Sequence, residues 1–153
     1  MQKLWKNVLD MPPSWLLLFL GLAWAQLCVV PSLRLGSGLL SDIGLALMAL
    51  AVALMVWAAV FFLRLRTSVV PRRVPSALIK AGPYRLTRNP IYLADAVFLL
   101  GFSLWIGSVL GILLVPVFMK LIEIRFIRGE EQGLRAAFPD EAEEFFRKTR
   151  RWL

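Results

Sequence analysis

LLSDIGLALMALAVALMVWAAVFFL, residues Leu39 to Leu63, contains one charged side chain, Asp42. A helix crossing a bilayer core of about 30 Å needs about 20 predominantly apolar residues, and this run exceeds that length. Upstream, Trp15 to Leu33 meets the same requirement with no charge. Downstream, Ile91 to Ile127 is a third apolar tract, long enough for two passes if the chain reverses near Trp105, Ile106, Gly107 and Ser108. The expected fold is all-α: an integral membrane protein of one domain, residues 1–153, with four transmembrane helices over 15–33, 39–63, 91–106 and 108–127. The last two form a hairpin. Its first arm reaches only about 24 Å at about 1.5 Å per residue, so a re-entrant hairpin is the alternative.

The composition agrees with this reading, since 59% of the residues are hydrophobic and only 18% charged. The net charge of +8 does not imply nucleic acid, because the cations flank apolar segments instead of forming a soluble basic face. Arg64, Arg66, Arg72, Arg73, Lys80, Arg85 and Arg88 follow one another with no intervening Asp or Glu. The positive-inside rule places that loop in the cytoplasm, with Lys3, Lys6 and the polar tail on the same side. Both termini are therefore expected in the cytoplasm. Lys3 and Lys6 before an apolar run ending at Ala23-Trp24-Ala25 resemble a cleavable signal peptide, but Asp10, Pro12 and Pro13 interrupt the basic region and the apolar run continues past Ala25.

The absence of histidine removes histidine triads, the usual general base and most zinc sites, so no metal site is expected. Cys28 is the only cysteine, which excludes an intrachain disulfide. Any chemistry must use carboxylates, arginines, tyrosines and backbone.

Asn89 before Pro90 is a helix-start signal, because Asn caps free amides and Pro suits the first helical position. After Gly129, Leu134, Phe138 and Phe145 recur at helical spacing among charged residues, which predicts an amphipathic tail helix over 129–149, broken near Pro139. Hairpin closure would gather Tyr84, Arg85, Arg88, Asn89 and Tyr92 with Arg125, Arg128, Glu130 and Glu131 at one cytoplasmic surface. Arginines clamp carboxylates or phosphates, and carboxylates accept from ribose hydroxyls, so the set suits a charged soluble cofactor. Each member also has a simpler role: topology or lipid phosphate for the arginines, capping for Asn89, the dipole of a helix start for the glutamates, and interfacial anchoring for the tyrosines. Asp95 and Lys120 lie at similar depth on the two arms, which predicts an ion pair that is either structural or functional. The residues alone leave an enzyme and a non-enzymatic lipid-binding protein equally open.

Arg66-Thr67, Gly82-Pro83-Tyr84-Arg85, Arg88-Asn89-Pro90-Ile91-Tyr92-Leu93, Glu130-Glu131 with Leu134, and Arg150-Arg151-Trp152-Leu153 occur in an order that resembles the isoprenylcysteine carboxyl methyltransferase and phospholipid methyltransferase family. The resemblance implies a small bacterial-type membrane enzyme using S-adenosylmethionine, located in the inner membrane. It implies a cofactor site of Gly82, Tyr84, Arg88, Asn89, Pro90, Tyr92, Glu130 and Glu131. It further implies catalytic roles for Arg125 and Arg128, which precede the glutamates as substrate-orienting arginines do in the eukaryotic members. Asp95 or Glu123 would take a proton from an amine substrate. Asn89 stands where many members have His, Gly129 where bacterial relatives often have Pro, and Ala142 and Phe145 where the tail commonly has tyrosines.

The expected activity is methyl transfer to a small lipophilic or lipid substrate, an isoprenoid carboxylate or an aminophospholipid, with membrane lipids as surroundings. A nicotinamide-dependent membrane reductase is the competing enzyme class. Glu131→Ala and Arg88→Ala are expected to weaken cofactor binding with expression preserved.

Overall fold

The computed structural model describes residues 11–64 and 78–153. Expectations resting on Lys3, Lys6, Asp10, Arg66, Thr67, Arg72 and Arg73 lie outside the described residues. In chain order the elements are α1 (Pro12–Val29), a 3-10 turn (Pro31–Leu33), α2 (Gly38–Arg64), a second 3-10 turn (Gly82–Arg85), α3 (Pro90–Ile106), α4 (Val109–Ile122), a π turn (Glu123–Ile127), α5 (Arg128–Ala137) and α6 (Pro139–Lys148). Among the described residues the only extended pairing is an isolated bridge between Arg34 and Ser108. By length and apolar composition, α1 and α2 can each cross a membrane, while α3 is a shorter apolar helix.

Helix ends follow the prolines. α1 starts at Pro12-Pro13, where the missing amides cost nothing, and stops at Val29 because Val30 is pushed out of helical geometry by Pro31. The span expected over 15–33 is therefore shifted toward the beginning of the chain. α3 starts at Pro90, as the Asn-Pro signal indicated.

The described residues divide into two compact units, one formed by 11–51 and 95–121, the other by 52–64, 78–94 and 122–153. In the first unit the chain turns between α3 and α4 at Gly107, whose φ of 74° is left-handed and whose Cβ, if present, would collide with the Leu35 carbonyl. Ser108 caps α4: its Oγ accepts the Gly111 amide at 3.0 Å, the third amide of that helix. Gln26 of α1 completes the cap, its Oε1 accepting the Ser108 hydroxyl at 2.7 Å and the Leu110 amide at 2.9 Å. Gln26→Leu strands both donors in an apolar interior, so we expect a loss of about 2 kcal/mol, read as a lower thermal midpoint in detergent.

Asp95 is buried in this unit at 4% exposure. It does not form the expected ion pair with Lys120, which is exposed in the last turn of α4. Equal depth on two arms does not bring two side chains to the same face.

Candidate functional site

The second unit is seated on an apolar cluster of Ala58, Ile79, Tyr84 and Phe145, with Phe61, Phe62, Ile91 and Phe146 packed around it. Tyr84 meets the Phe62 ring edge-on at 5.8 Å, and burial, followed by the Glu130 charge, raises its phenol above the ordinary value. Gly82 has φ 61°, and an added Cβ would run into the Phe61 ring. Its glycine identity is thus explained by turn geometry and packing on Phe61.

Over this seat, the segment 149–151 fastens to the residues ahead of α3. The Arg88 amide donates to the Arg150 carbonyl at 2.9 Å, and the Arg88 Nε donates to the Thr149 carbonyl at 2.7 Å. The Thr87 hydroxyl and the Asn89 Nδ2 both donate to the Arg151 carbonyl, each at 3.0 Å. Asn89 occupies the position before α3, and its Nδ2 takes part in this clasp.

Glu131, 5% exposed, lies at the centre. Arg88 Nη1 reaches its Oε1 at 3.0 Å, while Arg151 grips both oxygens, Nε to Oε1 at 3.0 Å and Nη2 to Oε2 at 2.6 Å. That fork is the strong bidentate form of the pair. The two guanidiniums respond differently. Burial holds Arg88 below its ordinary value despite the pull of Glu131, whereas the hydrogen bonds to Glu131 raise Arg151. Arg88 also lies 4.6 Å from the Phe146 ring centroid, a cation–π contact.

The chain is helical without a break from Ile122 to Ala137, since Ile122, Ile127 and Arg128 all keep right-handed helical dihedrals. Glu130 and Glu131 therefore sit inside a continuing helix, and the dipole of a helix start after Gly129 is not what places them. The π turn has a local consequence. In an α-helix residues five apart point about 140° away from each other, but the wider turn lets Arg128 Nη2 reach Glu123 Oε1 at 2.8 Å. Arg151 Nη1 shares that carboxylate at 3.2 Å. Next to Glu131, Glu130 accepts the Tyr92 hydroxyl at 2.7 Å, and the Tyr92 ring lies 6.4 Å from Phe126.

The model of one protein family, phospholipid methyltransferase, matches residues 39–141. The chain belongs to the phospholipid methyltransferase family. Methyltransferases of this family generally use S-adenosylmethionine. The apolar helices α1 and α2 and the family membership both point to a membrane protein. It is similar to the cobalt-zinc-cadmium resistance protein CzcN of Cupriavidus metallidurans, with 28% identity over 113 residues, 74% of this chain and 48% of that protein. The chain thus spans about half the length of that relative. It is also 38% identical over 63 residues, 41% of its length, to the whole of an uncharacterised protein of Haemophilus influenzae. No solved structure matches it.

Within this family member, the structure brings together Arg88, Asn89, Tyr92, Arg128, Glu130 and Glu131 of the residues singled out in the sequence. Pro90 is buried at the first position of α3, and Gly82 and Tyr84 belong to the apolar seat. Arg125 is exposed on the π turn, and Asp95 lies in the other unit. Sequence reasoning missed Thr87 and the Arg151 side chain as partners in this cluster. The available signal was the closing Arg150-Arg151-Trp152-Leu153 motif.

Proposed function

We propose that this protein catalyses S-adenosylmethionine-dependent methyl transfer to a small lipophilic or lipid molecule at the cytoplasmic face of the bacterial inner membrane. The observation that carries the proposal is the Tyr92–Glu130 pair beside the Arg88–Glu131–Arg151 clasp, all but Arg151 falling within the matched residues 39–141. By the chemistry of its donors the cluster fits a zwitterionic, ribose-bearing cofactor. A half-buried carboxylate oriented by a tyrosine can take ribose hydroxyls or an ammonium, and a guanidinium of the cluster can take a carboxylate. When bound, that cofactor would supply a sulfonium methyl group for transfer to an in-line nucleophile, with its neutral thioether as the leaving group.

The protein's own task is positioning and exclusion of water. Arg125 and Arg128 orient an anionic substrate group. A carboxylate substrate attacks already ionised, whereas an amine must first lose a proton; of Asp95 and Glu123, Glu123 is the one that lies in the same unit as the cluster. The accompanying topology is four membrane crossings with both termini in the cytoplasm, which lets a lipophilic substrate come from the bilayer and the cofactor from water.

Tyr92→Phe removes one hydroxyl and frees the Glu130 carboxylate from its orienting bond. We expect cofactor affinity to fall about tenfold with the fold intact, measured by calorimetry. The proposal itself is tested by incubating lipid extracted from the purified protein with cofactor labelled in the methyl group. Label should appear in a lipid product with the wild type, fall with Tyr92→Phe and vanish with Glu130→Ala; no labelled product from any lipid fraction contradicts it.

A further inference from the structure

We propose that Arg151 is a positioning residue of the methyl-transfer site, holding the Glu130–Tyr92 pair in place through Glu131 without touching the cofactor. The inference rests on the function proposed above, and Arg151 lies beyond the residues matched by the family model. One side chain and one carbonyl of Arg151 tie three places together. The guanidinium forks onto Glu131 in α5 and reaches Glu123 at the π turn, and the carbonyl receives Thr87 and Asn89 ahead of α3. Successive residues of an α-helix point about 100° apart, so fixing the direction of Glu131 fixes that of Glu130. Glu130 in turn meets Tyr92 in the first turn of α3. The clasp thus sets the rotation of α5 against the start of α3.

Charge alone does not explain this arrangement. Arg88 already pairs with Glu131, and Arg128 with Glu123, so each carboxylate has a cation without Arg151. What Arg151 adds is a rigid fork bridging the two carboxylates, together with a backbone carbonyl docked between Thr87 and Asn89. Lysine would keep the charge and lose the fork.

The test compares the wild type with Arg151→Lys and Thr87→Val, and with Arg147→Gln, an exposed position on α6, as control. Two quantities are read: hydrogen exchange at the Arg88 amide, which donates to the Arg150 carbonyl, and calorimetric affinity for S-adenosylhomocysteine. In both variants the amide is expected to exchange at least about tenfold faster and the Kd to rise about tenfold, with the control unchanged. Thr87→Val keeps every charge and decides the matter if Arg151→Lys does not fold. Faster exchange with unchanged affinity overturns the positioning role, as does exchange at the wild-type rate in both variants. A wild type that binds no S-adenosylhomocysteine overturns the cofactor reading itself, while the exchange rates still report whether the clasp exists.

Discussion

Glu131→Ala is expected to destabilise the protein by about 3 kcal/mol as well as to weaken cofactor binding. The carboxylate is 6% exposed in its side chain and receives three charge-assisted hydrogen bonds, one from Arg88 and two from Arg151. Its removal leaves the Arg88 guanidinium, 17% exposed, beside Arg151 with no anion between them. The remaining acceptors of Arg88, the Thr149 and Phe146 carbonyls, are neutral and do not offset that repulsion. The estimate stays at the low end for a broken buried pair because a third of the Arg151 side chain reaches solvent. Thermal unfolding in detergent would show the loss. The geometry thus adds a fall in stability to the weakened binding, with preserved expression, that the sequence alone led us to expect. Glu131→Gln should fall between wild type and alanine, since it keeps two hydrogen-bonding groups without the charge.

Gly44→Ala is expected to be comparably damaging, at about 3 kcal/mol, for a steric reason. A Cβ at Gly44 would lie 2.5 Å from the Gly101 carbonyl oxygen and 2.6 Å from the Trp105 amide nitrogen. Both obstacles are backbone, so no side chain can rotate away and α2 must withdraw from α3 locally. The same movement would break the bond from the Ser41 hydroxyl to the Trp105 carbonyl, 3.2 Å in the structure. Gly101→Ala meets the Gly44 carbonyl at 2.7 Å and the Met48 amide at 2.9 Å, and should behave alike. Gly21→Ala is the control, because nothing lies within 4 Å of a Cβ there and alanine is the better helix former. Midpoints of thermal unfolding for the three variants check the ordering.

The long helices were legible in the sequence because length and apolar composition are properties of a single segment. Leu39–Leu63 reads almost as α2 is built, and Ile91–Ile106 almost as α3. The error at α1 came from giving apolar Val29 to Leu33 more weight than Pro31, whose ring fixes where a helix can stop. The break at Pro139 was legible for the same local reason. The π turn was not, since five residues of ordinary helical composition, Glu123 to Ile127, carry no mark of a widened turn. Nor did similar depth on the two arms tell on which face Asp95 and Lys120 would stand. At the site, residue types suited to ionic recognition were visible, but their pairing was not. Glu131, read as a cofactor contact, is also a buried hub, and Asn89, read as cap or ligand, also donates to the Arg151 carbonyl. Such roles depend on residues 20 and 62 positions apart meeting in space, which no local pattern records.

The central claim is that this protein holds a methyl-donor cofactor in the unit containing Glu130, Glu131 and Tyr92. Calorimetric titration of the purified protein with S-adenosylmethionine, S-adenosylhomocysteine and NADPH tests it most directly. Saturable binding of the first two at one site per chain, with no heat from NADPH, is the predicted result; no binding of either methyl-cycle ligand would contradict the claim.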